Sequence, residues 1–204
     1  MSPPPSAGLQ DVTPTPVPDL TPACEATAAL VAALHDDELA LPTPCDALDV
    51  AGVVAHLDLA GQGFAVIGRH GDDEPAPPYG PDRGPTWRRD LADVLARLAD
   101  VLARLADAWR DPAAWEGDTD TGVALPNATW GRAALTEVVV HGWDLARATG
   151  RPLRFPEVTL RATLDHVLVF VPAAPVPALW GTPATVPDDA PLLDRVVAAT
   201  GRRP

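Results

Sequence analysis

Residues 91–109 read LADVLARLADVLARLADAW, a seven-residue unit repeated in tandem and then begun a third time. Leu91, Leu95, Leu98, Leu102 and Leu105 recur at spacings of three and four, which on a helix gathers them into one stripe. Such a stripe suits either a coiled-coil dimer seam or the inward face of a helical bundle. Fewer than three full heptads is short for a coiled coil, so the segment predicts a bundle face, although the repeat also permits a homodimer.

Outward from this helix, the chain supplies three more of similar length. Asp49 is a good N-cap for a second helix running through Val53, Val54, Leu57 and Phe64 to about Arg69. The Gly/Pro/Asp-rich stretch from Gly71 to Pro85 reads as a loop. Upstream, Thr21 as a cap and Pro22 in the first turn predict a first helix ending near Leu41, before Pro42. Downstream, Asp111 to Thr129 reads as a loop and Trp130 to Thr149 as a fourth helix, stopped by Gly150 and Pro152. A short helix around Glu157 to Val171, a proline-laden connection and a terminal helix from Ala190 to Thr200 complete the pattern. No alternating strand stands out; Val123–Leu125 and Leu168–Val171 are the candidate extended pieces. The expected class is all-α, a four-helix bundle with short C-terminal helical additions.

The Pro-rich residues 1–22 are expected to be a disordered leader, leaving 23–204 as one bundle domain. A hydrophobic share of 47% supports a sizeable core. Net charge is −13, from 28 acidic against 15 basic residues, and Arg88-Arg89 and Arg202-Arg203 are the basic pairs. A surface for nucleic acid or anionic membrane needs clustered Lys and Arg, so neither partner is expected. No secretory signal is apparent, and no apolar run approaches the roughly 18 residues of a membrane span. Cys24 and Cys45 do not make a disulfide framework and are expected as free thiols of a reducing compartment. The expected location is cytoplasmic.

Chemistry concentrates in the fourth helix, TEVVVHGWDLARATG. At about 100° per residue, Glu137, His141 and Asp144 fall within roughly 60° of one another, on one narrow stripe. Arg132, Thr136 and Arg147 form a separate polar arc, expected to face solvent because Arg is rarely buried unpaired. The Glu/His/Asp stripe then points sideways or inward, where a carboxylate needs a cation beside it. Glu137 and His141, one turn apart, suit a metal ion; a plain Glu–His hydrogen bond satisfies the same spacing. His56, in VVAHLDLA, is expected on the buried side of the second helix, opposite Asp58 and Gln62. A buried His is often a satisfied core residue. Paired with Glu137 and His141 it makes a two-His, one-carboxylate set that leaves coordination positions open. His35 is expected at a solvated acidic helix end, His70 at the opening of the long loop, His166 in packing, Trp143 and Trp130 in packing or lining a pocket, and Cys45 as a small packed residue in the loop before the second helix.

The stretches TPCDALDVAGVVAHL (43–57), LTEVVVHGWDLARATGRP (135–152) and VPDDAPLLDRVVAATGRRP (186–204) resemble the actinobacterial DinB/YfiT-like metalloenzymes. More specifically, they are similar to the family sharing the metal-binding domain of mycothiol-dependent maleylpyruvate isomerase. The resemblance implies a DinB-like bundle holding one divalent metal, usually zinc (Zn2+), through His56, Glu137 and His141. It implies mycothiol as thiol cosubstrate and a small electrophilic substrate, in a thiol S-transferase or thiol-assisted isomerase. A bundle that binds metal or ligand without turnover is the alternative. Asp144 fits a supporting role, holding a ligand imidazole in the correct tautomer. Ala47-Leu48 stands where the family commonly carries Gly-Trp, which changes the expected pocket rim.

Overall fold

The computed structural model describes residues 17–71, 91–174 and 180–204. Its elements are α1 (Thr21–Ala32), α2 (Val50–Gly68), α3 (Leu91–Ala108), β1 (Asp118–Asp120), β2 (Ala124–Pro126), α4 (Asn127–Thr149), α5 (Glu157–Ala173) and α6 (Leu192–Ala199), with 3-10 turns at Asp36–Glu38 and Pro112–Trp115. The four long N-terminal helices form a bundle. α1 and α2 each pack against both α3 and α4, which puts α1 diagonal to α2 and α3 diagonal to α4. α5 packs on α4, and α6 packs mainly on α5 while also reaching α4.

The leucine stripe of α3 is spent inside this bundle. Leu98, Leu102 and Leu105 are fully buried within the single chain, each stabilising it by about 1.5–3 kcal/mol. α2 starts as its sequence predicts, with the Asp49 carboxylate accepting from Gly52 N at 2.8 Å. It is long and apolar enough to match a membrane span by length and composition, contrary to the expectation from the sequence, yet 72% of that window is buried inside the protein, as a core helix requires.

α1 is shorter than expected, ending at Ala32 rather than near Leu41. Asp36, Asp37 and Glu38 at a helix C-terminus would oppose the backbone dipole. They instead open a new 3-10 turn, where Glu38 Oε2 accepts from His35 N at 2.8 Å. Glu38 also pairs with Arg151, which tethers this turn to the end of α4. Thr21 is not the cap: its N–H donates to Asp19 Oδ1 at 2.9 Å. Leu20 is buried in the core, so packed chain extends N-terminal of the 22/23 boundary. The leader up to residue 16 and most of the 71–85 loop lie outside the described residues.

Two extended pieces were expected from the sequence. Val123–Leu125 overlaps β2, which pairs with β1 in a small antiparallel hairpin turning at Gly122. Leu168–Val171 is helical, part of α5. The hairpin feeds directly into α4, whose first residue Asn127 donates from its backbone to Gly117 O at 2.9 Å and from Nδ2 to Glu116 O at 2.8 Å. α4 ends on left-handed Gly150, as the sequence predicts. Cys24 and Cys45 are free.

Candidate metal centre

α4 is the central helix: from Ala133 to Ala146 every residue is buried. That corrects the expected solvent arc. Thr136 is buried and donates to Arg132 O at 2.9 Å, and Arg132 lies half-buried with its guanidinium over the Trp115 ring. Only Arg147 of the three is exposed. A helix with α1, α2 and α5 around it has no wide face left for water.

The Glu137/His141/Asp144 stripe therefore points into protein, and α2 meets it. His56 Nε2 lies 2.9 Å from Glu137 Oε2, and His141 Nε2 lies 3.1 Å from the same oxygen. The two imidazoles stand edge to face with centroids 4.7 Å apart. Donor atoms of His56, Glu137 and His141 all fall within 4.8 Å of one another. The expected orientation of α2 is corrected at both polar residues. His56 is partly exposed rather than buried, while Asp58 is buried because Arg97 of α3 binds it through Nε at 3.0 Å and Nη2 at 2.6 Å.

Behind the triad stands Asp144, with no exposed surface. Its Oδ2 lies 2.9 Å from His141 Nδ1, the contact expected of a residue that fixes a ligand tautomer. The sequence reading missed what holds Asp144 in turn. Arg202 Nη2 donates to Asp144 Oδ2 at 2.9 Å and Nε to Oδ1 at 3.3 Å. A paired basic tail, Arg202-Arg203, was its only visible signal. Cys45 also lies beside His141 and Asp144, its sulfur within 4.8 Å of their ligand atoms. Arg202 already grips Asp144 there, so the cation of that second cluster is a guanidinium.

The electrostatics follow from burial and pairing. Burial alone would raise the Glu137 carboxyl, but the hydrogen bonds from His141 and His56 hold it well below the usual range. For His141 burial works downward, and the contacts to Asp144 and Glu137 outweigh it, lifting the imidazole to about 9. Asp144 is likewise lowered against its burial, by His141 and Arg202. Burial pushes the Cys45 thiol up, which keeps it protonated.

The other histidines fall as expected, with one refinement. His35 and His70 are exposed, and His70 Nε2 sits 3.0 Å from Ala113 O. His166 is buried and stacked on Phe170, 4.8 Å between centroids, with no hydrogen-bond partner for Nε2 among the described residues.

The donor chemistry fits a divalent ion. Two imidazole nitrogens and one carboxylate oxygen, drawn from two helices, make a three-ligand set of the open type. Tetrahedral zinc at about 2.0–2.2 Å from each donor would separate them by roughly 3.3 Å, a few tenths more than the two contacts to Glu137. Asp144, against His141 Nδ1, stands where an outer carboxylate would support such a ligand.

A helical bundle of this topology is the all-α, DinB-like fold expected from the sequence. The sequence model of the mycothiol maleylpyruvate isomerase N-terminal domain matches residues 20–146. The match spans more than half of the 204 residues, and the chain belongs to that family. Among solved structures, a histidine-to-alanine mutant of the mycothiol-dependent maleylpyruvate isomerase aligns with a TM-score of 0.51 and 20% identity, over 73% of this chain and 68% of its own. The unmutated enzyme aligns over the same shares at a TM-score of 0.46. At this identity the likeness is one of fold. No curated protein sequence matches the chain.

Proposed function

We propose that this protein is a divalent-metal enzyme that uses a low-molecular-weight thiol. His56, Glu137 and His141 are the metal ligands, zinc is the ion and mycothiol is the thiol. The observation that carries the reading is the convergence of three ligand-type atoms from α2 and α4 within 4.8 Å. Family membership and the relative's name, a mycothiol-dependent isomerase, supply the thiol.

A divalent ion at such a site lowers the pKa of a bound thiol and so provides a nucleophile near neutral pH. The chain's own residues do the rest. Glu137 contributes one negative charge at the ion, the two imidazoles contribute neutral nitrogen donors, and Asp144 keeps the His141 Nδ1 proton away from the donor position. The reaction class is thiol transfer to an electrophile, or thiol-assisted isomerisation, with a small electrophilic substrate. The two free thiols of the chain fit a reducing, cytoplasmic setting.

The test is elemental analysis after zinc reconstitution and removal of excess ion. About one equivalent per chain is expected; less than about 0.2 equivalents sinks the proposal, because preorganised ligands bind far more tightly than that. Loss of a model electrophile in the presence of thiol, abolished by His141→Ala, then separates an enzyme from a passive metal binder.

A further inference from the structure

The matched family segment stops at Ala146, yet the chain reaches the site again from its far end. Gly201 follows α6 with φ +90°, a conformation that strains any side chain. A Cβ there would lie 2.5 Å from Gly181 Cα, so the segments before and after α6 cross in backbone contact only because both residues are glycine. The turn is closed by Thr200 Oγ1, which donates to Val197 O at 2.9 Å, and by Arg202 N, which donates to the same carbonyl at 2.9 Å. Arg202 Nη1 donates to Thr200 O at 3.2 Å. The backbone thus holds the guanidinium from behind and leaves Nε and Nη2 aimed at Asp144.

The result is a fork-to-fork pair between an arginine 8% exposed and a carboxylate 0% exposed. Asp144 Oδ2 receives both Arg202 Nη2 and His141 Nδ1, while Oδ1 receives Arg202 Nε. The terminal torsion of an aspartate is soft, and one imidazole contact does not fix the carboxylate plane. Two parallel donors from a rigid guanidinium do.

The geometry points to Arg202 as a positioning residue for the metal centre: it fixes the plane of the Asp144 carboxylate and, through it, the His141 ring, so that Nε2 stands beside Glu137 and His56. This rests on the metal reading of those three residues. It extends the centre to a residue 58 positions from Asp144, outside the matched segment.

The experiment compares the wild type with Arg202→Met, Arg202→Lys and the control Arg151→Met, which breaks the Glu38 pair instead. Two quantities are read on the full chain: the His141 Nδ1–H resonance of metal-stripped, ¹⁵N-histidine-labelled protein, and zinc affinity by chelator competition. In Arg202→Met the resonance is expected to disappear through exchange, and zinc to bind about 10–100-fold more weakly, the range for losing an outer-shell partner. Arg202→Lys should keep the signal, displaced, with a smaller affinity loss, and Arg151→Met should leave both at wild-type values. If Arg202→Met does not fold, the lysine variant decides: an unmoved resonance with wild-type affinity overturns the inference. So does an Arg202→Met protein that melts lower yet keeps the Nδ1–H signal and zinc affinity. Should the wild type bind no zinc while Arg202→Met loses the resonance, the metal reading falls and the positioning of His141 stands.

Discussion

Replacing His56 with alanine separates a metal centre from an internal hydrogen-bond cluster, because the two roles change the response to zinc differently. In metal-stripped protein the substitution removes one contact to Glu137 at 2.9 Å, between side chains 19% and 10% exposed. A hydrogen bond to a charged, mostly buried group is worth about 1.5–3 kcal/mol. In a domain of this size that lowers Tm by about 3–12 °C. Zinc then discriminates. At a free concentration 100-fold above Kd, the wild type gains about 2.7 kcal/mol, or about 5–11 °C. Losing one of three direct ligands should weaken binding at least as much as losing an outer partner at its upper limit, about 100-fold. The same zinc concentration then only equals Kd, and the gain falls to RT ln 2, about 0.4 kcal/mol, or about 1–2 °C. Differential scanning calorimetry on both proteins, stripped and zinc-loaded, measures all four values. Equal zinc shifts in the two proteins, or none in the wild type, would refute the reasoning.

His166 should make the fold acid-sensitive. Burial, helped by the Arg132 charge, lowers its pKa from 6.5 to about 4. Between those values the unfolded chain binds a proton that the folded one refuses, so stability falls as pH drops through 6.5 toward 4, by up to roughly 3 kcal/mol. Urea melts at neutral and acid pH should show a shallower loss in His166→Phe; an identical slope contradicts the assignment. The two cysteines should label in a fixed order. Cys24 is 2% exposed, and burial followed by the Asp19 and Glu25 charges pushes its thiol to about 12. Cys45 is only half-buried, so iodoacetamide followed by mass spectrometry should mark it first and reach Cys24 on unfolding. On α3, Leu98→Ala should cost about 3–5 kcal/mol as a core cavity. Leu95→Ala, at a half-buried position, should cost nearer about 1 kcal/mol in the same denaturant titration.

The parts of the molecule legible in the sequence are those that a single helix decides for itself. The Leu91–Leu105 stripe needed only its own spacing, and Asp49 capped α2 through a contact three residues away. Glu137, His141 and Asp144 were placed on one stripe by the same arithmetic. Errors arose where a distant partner decides. Asp58 read as solvent-facing because a lone aspartate usually is; Arg97 of α3 lets it be buried. Thr136 read as exposed because it shares an arc with two arginines, yet its hydroxyl is satisfied by its own helix at Arg132 O. Arg202 was invisible as part of the site, since nothing local in ATGRRP says that a left-handed Gly201 turns the next side chain inward.

That missed residue changes the charge of the centre. In a metal-bound centre the ion would displace the extra proton of His141 and both imidazoles would be neutral; Glu137 and Asp144 would then contribute two negative charges and Arg202 one positive, a net −1 from the protein. A divalent ion would bring it to +1, which in a poorly solvated interior favours a ligand bearing one negative charge over a neutral one. Without the arginine the same ion would leave the cluster neutral, and no local charge would favour ionising an incoming thiol. On the proposed reading, Arg202 would therefore fix the ring that holds the ion and also set the charge against which a bound thiol would give up its proton. The C-terminal segment earns its place in the fold through both effects, because the bundle alone offers Asp144 no buried cation among its described contacts other than the His141 imidazole it must orient.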